Sequence, residues 1–186
     1  MSGSSVADRY RRVAGRFSDT AAAVPAAAWE RPAPCEGWVA RDVVRHLVEW
    51  FPPFLHDGAG IDLPTGPPVD EDPVAAWRTL SDGVQTVLDD PATTGRSLDH
   101  PRAGQHPLDQ AIGMFFLGDV LIHTWDLARA TGLDETLDPD EVHAMLTGLE
   151  PFDEMLRASG QYGPRVEVAQ DAGEQTRLIA FVGRQP

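Results

Sequence analysis

The chain has 186 residues, 42% hydrophobic and 24% charged, which fits one domain that needs neither a disulfide nor a structural metal to fold. Its 29 acidic residues face 15 basic ones, all arginine, and the net charge of −14 argues against nucleic acid or an anionic membrane surface as a partner. The single Cys35 excludes an internal disulfide and any multi-cysteine zinc site.

No apolar run approaches the ~20 residues of a membrane span, and the N-terminal MSGSSVADRYRR lacks the apolar region of a signal peptide. A cytoplasmic protein is therefore expected. From Ser5 to Val24, the apolar Val6, Tyr10, Val13, Phe17, Ala21 and Val24 recur every three or four residues, the stripe of an amphipathic helix. Pro25, Pro32, Pro34 and Gly37 mark a loop. A second helix begins near Val39 and carries Val43, Val44, Leu47, Trp50 and Phe51, with Pro52-Pro53 expected to end or kink it. Gly58 to Asp72 reads as a long surface loop. A third helix fits Pro73 to Leu88, with Val74, Trp77, Leu80, Val84 and Leu88 on one stripe.

Asp90 to Pro107 is polar and turn-rich, with a short extended piece around Arg96–Leu98. The fourth helix, Leu108 to Thr131, is apolar nearly all round from Ile112 to Leu127 and should be central, with Gly132 as its C-terminal cap. A fifth starts at Asp138-Pro139 and runs to about Ser159. The remaining tail offers an extended stretch at Arg165–Val168 and a final helical piece at Glu174–Val182. The fold class is all-α: a four-helix bundle with long connections, an extra helix and a short tail. The division expected is a bundle over residues 1–160 and a tail over 161–186 packed on it.

An apolar helix must account for each ionisable group it carries inward. Asp119 and His123, four apart, share a helix face; Asp126, three further, sits on the adjoining one. His46 lies among apolar residues of the second helix, with Glu49 three residues on. His46, Asp119 and His123 together resemble half of a divalent-metal shell with positions left open. On residues alone, a hydrogen-bonded Asp/His network is an equal reading.

Two segments narrow the choice. CEGWVARDVVRHLVEW, Cys35 to Trp50, resembles the CxGWxxxDxxxHL signature of the mycothiol-dependent maleylpyruvate isomerase metal-binding-domain family. DVLIHTWDLARATG, Asp119 to Gly132, resembles the same family's ExxxHxWDLARATG segment, and the closing QTRLIAFVGRQP resembles the end of its uncharacterised actinobacterial branch. The resemblance implies a DinB-like four-helix bundle with metal ligands at His46, Asp119 and His123. Asp119 stands where the family more often has Glu. Zn²⁺ is the default ion for such ligands, with Ni²⁺, Mn²⁺ and Fe²⁺ as alternatives.

Candidate catalytic neighbours are Glu49, Asp126 and Arg129. Glu49 is read as a fourth ligand or general base, or as a surface partner of Arg45. Asp126 is read as the acceptor behind a ligating histidine, or as a partner of Arg129. Arg129 is also a candidate anchor for a carboxylate of a thiol or substrate. Cys35 reads as part of a structural turn with Trp38 packed beneath it. His100 and His106 are expected to be solvated or at a pocket mouth, and His56 and His143 are given no role. Trp29, Trp38, Trp50 and Trp77 read as core anchors.

Two functions follow from the resemblance and the residues. In the first, the chain is an enzyme, a metal-dependent thiol S-transferase or isomerase acting on a small-molecule thiol such as mycothiol and an electrophile. In the second, it is a non-catalytic metal- or ligand-binding bundle acting through partners, including a homodimer packed through Ile112–Leu117. The isomerase has a further C-terminal domain, so maleylpyruvate itself is not the expected substrate here.

Overall fold

Capping side chains set where the helices of this computed structural model begin, over the described residues 4–158 and 162–186. Helix α1 (Val6–Ala23) starts where Ser5 accepts from the Asp8 amide, and α3 (Pro73–Asp89) where Asp72 accepts from the Ala75 amide with Pro73 in the first turn. Helix α2 (Ala40–Ala59) opens with Asp42 accepting from the Val39 amide. It does not stop at Pro52-Pro53. Phe51 and Leu55 on either side of the prolines are fully buried, and their packing carries the helix on to Gly60 in the left-handed conformation.

The central helix is a rod from Leu108 to Thr131, made of α4 (Leu108–Ala111), a π-helical stretch Ile112–Leu117, and α5 (Gly118–Thr131). By length and composition this rod would suffice to cross a membrane, but 78% of its most apolar window is buried inside the protein. It is a core helix. Ile112, Phe116 and Leu117 of the apolar segment face the core, while Met114 is exposed. Gly132 closes the rod at φ +76°, as expected of a glycine cap.

Helices α1, α3, α2 and α5 pack in that cyclic order, each against the next, and close a four-helix bundle. Aromatic rings fill it. Phe51 stacks on Phe116 at 3.9 Å between centroids, and Phe17 lies 4.4 Å from Trp77. The all-α DinB-like architecture expected from the sequence is what forms. An antiparallel hairpin, β1 (Ser97–His100) with β2 (Gly104–Pro107), rests on α2. Only its first strand was anticipated, because Gln105 and His106 give β2 no apolar alternation.

Two expectations at the C-terminal end are corrected. The fifth helix does not run unbroken: α6 (Pro139–Leu149) gives way to a 3-10 turn at Glu150–Phe152 and then α7 (Asp153–Ala158). Pro151, lacking an amide proton, sits at the break. The expected end at Ser159 and the bundle–tail boundary at 160/161 lie outside the described residues. No strand forms at Arg165–Val168, where the Val166 amide instead bonds to the Ala180 carbonyl of α8 (Glu174–Phe181). Helix α8 packs on α6, and its Leu178, Ile179 and Phe181 join the common core.

The long 60–72 loop is pinned to α3 at Gly83, where a Cβ would stand 2.6 Å from Pro64 Cδ. Gly83→Ala is therefore a contest between two effects. Helix propensity favours alanine by about 1 kcal/mol, while overpacking costs about 1–3 kcal/mol. A net destabilisation of about 1 kcal/mol is expected, read as a lower urea midpoint with unchanged slope. An equal or higher midpoint would mean that the loop yields freely.

Candidate metal centre

The packing of α2 on α5 decides which polar side chains meet. Val43, Leu47 and Phe51 point α2 into the core, so His46 and Trp50 fall at its edge, facing α5. On α5, Asp119 and His123 occupy the facing positions one turn apart, directly after the π-helical stretch. Such π turns add a residue to the helix and recur beside functional sites.

Asp119 is the hub. Its Oδ2 lies 3.1 Å from His46 Nε2 and accepts from Trp50 Nε1 at 2.8 Å, while its Oδ1 lies 3.3 Å from His123 Nε2. One donor atom from each of His46, Asp119 and His123 falls within 4.8 Å of the others. Two N/O ligands on one tetrahedral cation at 2.0–2.1 Å stand about 3.3 Å apart, and each imidazole stands near that distance from one oxygen of the carboxylate, His46 Nε2 from Oδ2 and His123 Nε2 from Oδ1. His123 closes the inner side at 5% side-chain exposure, whereas His46 at 32% and Asp119 at 24% leave the outer side open. The residues present fit a divalent ion with a free coordination position.

Behind His123 lies Asp126, fully buried. His123 Nδ1 is 2.9 Å from Asp126 Oδ2, a charge-paired contact at hydrogen-bond distance. Arg184 reaches in from the end of the chain and clamps both carboxylate oxygens, Nε to Oδ1 at 3.2 Å and Nη2 to Oδ2 at 3.1 Å. Cys35 Sγ stands 3.5 Å from Asp126 Oδ2 and 3.1 Å from Arg184 Nη2. Its loop turns at Gly37, φ +77°, which brings Trp38 beside the rings of His46 and His123.

Charge balance follows from burial and its compensation. Burial pushes the Asp119 carboxyl up, but the His123 and His46 rings outweigh it and hold the group well below the usual carboxylate range. Burial pushes His123 down, yet Asp119 and Asp126 raise it well above its ordinary value. Asp126 is likewise driven up by burial and more strongly down by His123 and Arg184. Without an ion, His123 is an imidazolium held between the Asp119 and Asp126 carboxylates.

The other anticipated residues lie elsewhere. Glu49 is 64% exposed and 3.8 Å from Arg45. Arg129 pairs with Glu135 at 2.8 Å and stacks over Trp125, so Asp126 takes Arg184 in its place. His100 packs on Phe54, and His106 bonds to the Ala103 carbonyl, both within the hairpin. His56 and His143 form exposed pairs with Asp62 and Glu174. Trp29 and Trp77 are buried anchors, but Trp38 and Trp50 are half-buried walls of the cluster. The sequence reading missed Arg184 entirely. Its signal was a buried Asp126 in need of a cation, but 58 residues of separation carry no helical spacing to read.

A family model for the mycothiol maleylpyruvate isomerase N-terminal domain matches residues 10–128, a span that holds His46, Asp119, His123 and Asp126. The chain belongs to this family. It is also similar to an uncharacterized protein of Mycobacterium tuberculosis, present in strains CDC 1551 / Oshkosh and H37Rv. The two chains are 26% identical over 182 residues, covering 94% of this chain and 95% of that relative. The mycobacterial relative agrees with the actinobacterial branch of the family that the closing segment resembles. No solved structure matches the chain.

Proposed function

We propose that this protein is a metal-dependent thiol S-transferase or isomerase of the mycothiol type, holding Zn²⁺ or a similar ion through His46, Asp119 and His123. The observation that carries the reading is the convergence of two imidazole Nε2 atoms on one carboxylate, at 3.1 and 3.3 Å, with an open outer side. A divalent cation held there supplies Lewis acidity that lowers the pKa of a thiol. The chain's own residues do the rest. Asp119 brings the negative charge that offsets the ion, Trp50 fixes the carboxylate by its indole N–H, and Asp126 stands behind His123 to hold its tautomer. Trp38 and Trp50 offer aromatic walls to an organic thiol on the open side. Glu49 and Arg129, outside the cluster, are given no step. The partners in this reading are a small-molecule thiol and an electrophile in a reducing cytoplasm, without nucleic acid or membrane.

The test is metal content by plasma mass spectrometry on untagged protein, followed by Co²⁺ substitution. Near-stoichiometric metal, and a Co²⁺ absorption spectrum that changes when a low-molecular-weight thiol is added, are expected. A metal-free protein that also refuses added Zn²⁺ sinks the reading. A loaded protein whose Co²⁺ spectrum ignores every thiol tried removes the thiol chemistry and leaves a metal-binding module.

A further inference from the structure

Arg184 lies outside the segment that matches the family model, yet its guanidinium is mostly buried against the metal-ligating cluster. Its backbone is fixed before its side chain is considered. Helix α8 ends on Gly183 at φ +86°, where a Cβ would stand 3.1 Å from the Pro164 carbonyl oxygen, so glycine suits both the turn and the close approach. The Gly183 amide bonds to the Ala180 carbonyl and the Arg184 amide to the Ile179 carbonyl at 3.0 Å, which together cap the helix and aim residue 184 back at the bundle. From there the side chain makes the two-pronged clamp on Asp126, touches Cys35 Sγ, and donates through Nη1 to the Val182 carbonyl at 3.2 Å.

A two-pronged guanidinium fixes the plane of a carboxylate as well as neutralising it. Asp126 so fixed presents Oδ2 to His123 Nδ1, the nitrogen opposite the one that faces Asp119. The acceptor behind a ligating histidine sets its ring orientation and tautomer, and losing such partners weakens metal binding by roughly 10- to 100-fold. We infer that Arg184 is a positioning residue of the metal centre, acting through Asp126 and His123, so that ion binding and docking of residues 174–186 are coupled. The inference rests on the metal reading above. Because coupling is reciprocal, an ion at His123 must also steady the segment that carries Arg184.

The experiment measures Zn²⁺ affinity by chelator competition for the full chain, Arg184→Ala, Arg184→Lys and Arg177→Ala, with amide exchange of residues 174–186 with and without Zn²⁺. Arg177, 41% exposed, pairs with Glu150 at 2.9 Å without touching Asp126, so its variant controls for the loss of a surface arginine from the same helix. Arg184→Ala is expected to bind roughly 10- to 100-fold more weakly. Arg184→Lys, which keeps the charge but not the fork, should fall between it and wild type, and Arg177→Ala should match wild type. In wild type, Zn²⁺ should slow exchange across 174–186. If Arg184→Ala does not fold, Arg184→Lys decides alone. Wild-type affinity in the Arg184 variants, or an equal loss in Arg177→Ala, overturns the inference while leaving the metal reading intact. A wild type that binds no Zn²⁺ ends both.

Discussion

His123→Ala is expected to abolish tight metal binding and to destabilise the metal-free protein as well, whereas His46→Ala should do only the first. Each substitution removes one of three donors, so the loss of affinity should exceed the roughly 10- to 100-fold typical of residues behind the ligands. Stability separates them. His123 is buried between Asp119 and Asp126, and deleting one partner of a buried ion pair costs about 3–5 kcal/mol. Asp119 keeps His46 and Trp50, and Asp126 keeps Arg184, so about 2–3 kcal/mol is the expected cost here. His46 is a third exposed, its pair with Asp119 is open to solvent screening, and less than about 1 kcal/mol should follow its loss. Urea unfolding of both variants in chelator checks the contrast. Equal costs would mean that the buried pairs around His123 are not what holds that end of the bundle.

The pH dependence of this site has opposite signs with and without an ion. In the metal-free protein His123 has a folded pKa raised above its ordinary value near 6.5. Its contribution to stability is therefore full below the unfolded pKa and is lost as pH rises through the folded value. Asp119, with its pKa depressed, contributes above the usual carboxylate range and loses that contribution only in strong acid. Metal binding needs the His123 Nε2 lone pair, so it must release a proton and tighten as pH rises. Titration calorimetry in two buffers of different ionisation enthalpy reads that proton directly.

The sequence made the bundle legible because each long helix writes its buried face at three- and four-residue intervals, and Pro73, Asp138-Pro139 and Gly132 mark helix ends. The Asp119/His123 pair was legible for the same reason, since four residues on one helix fix a shared face. What local spacing does not carry was missed. The continuation of α2 past Pro52-Pro53 depends on burial of Phe51 and Leu55 against other helices. The clamp of Arg184 on Asp126 depends on where α8 lands. Trp38 and Trp50 looked like anchors because an indole is apolar over most of its surface; that they wall a polar cluster follows from the Trp50 N–H and from ring contacts alone. Glu49 and Arg129 lie outside the cluster, Glu49 in the surface pair with Arg45 that its spacing also offered. Three residues from His46 puts Glu49 on a neighbouring face, and Arg129, six residues from His123, pairs with Glu135 at the surface.

Far from the candidate metal centre, Arg9→Ala is expected to destabilise the protein by about 3 kcal/mol, more than Glu141→Ala does, although both break the same pair. Glu141, in the first turn of α6, is 3% exposed and receives Arg9 Nε at 2.9 Å and Nη2 at 2.6 Å, with Arg12 Nη2 further off at 3.4 Å. This two-pronged contact ties α6 to α1. Removing Arg9 strands a buried carboxylate with one distant partner, and uncompensated burial of that kind costs about 3–5 kcal/mol. Removing Glu141 leaves Arg9, 33% exposed, free to turn its guanidinium into water, so about 1–2 kcal/mol is expected. The double variant should cost less than the two singles together, because the stranded charge is then gone. Denaturant midpoints of the three variants give the cycle. If Glu141→Ala proves the more costly single change, desolvation of the carboxylate does not set the energy of this contact, and the charge of Glu141 in the first turn of α6 does.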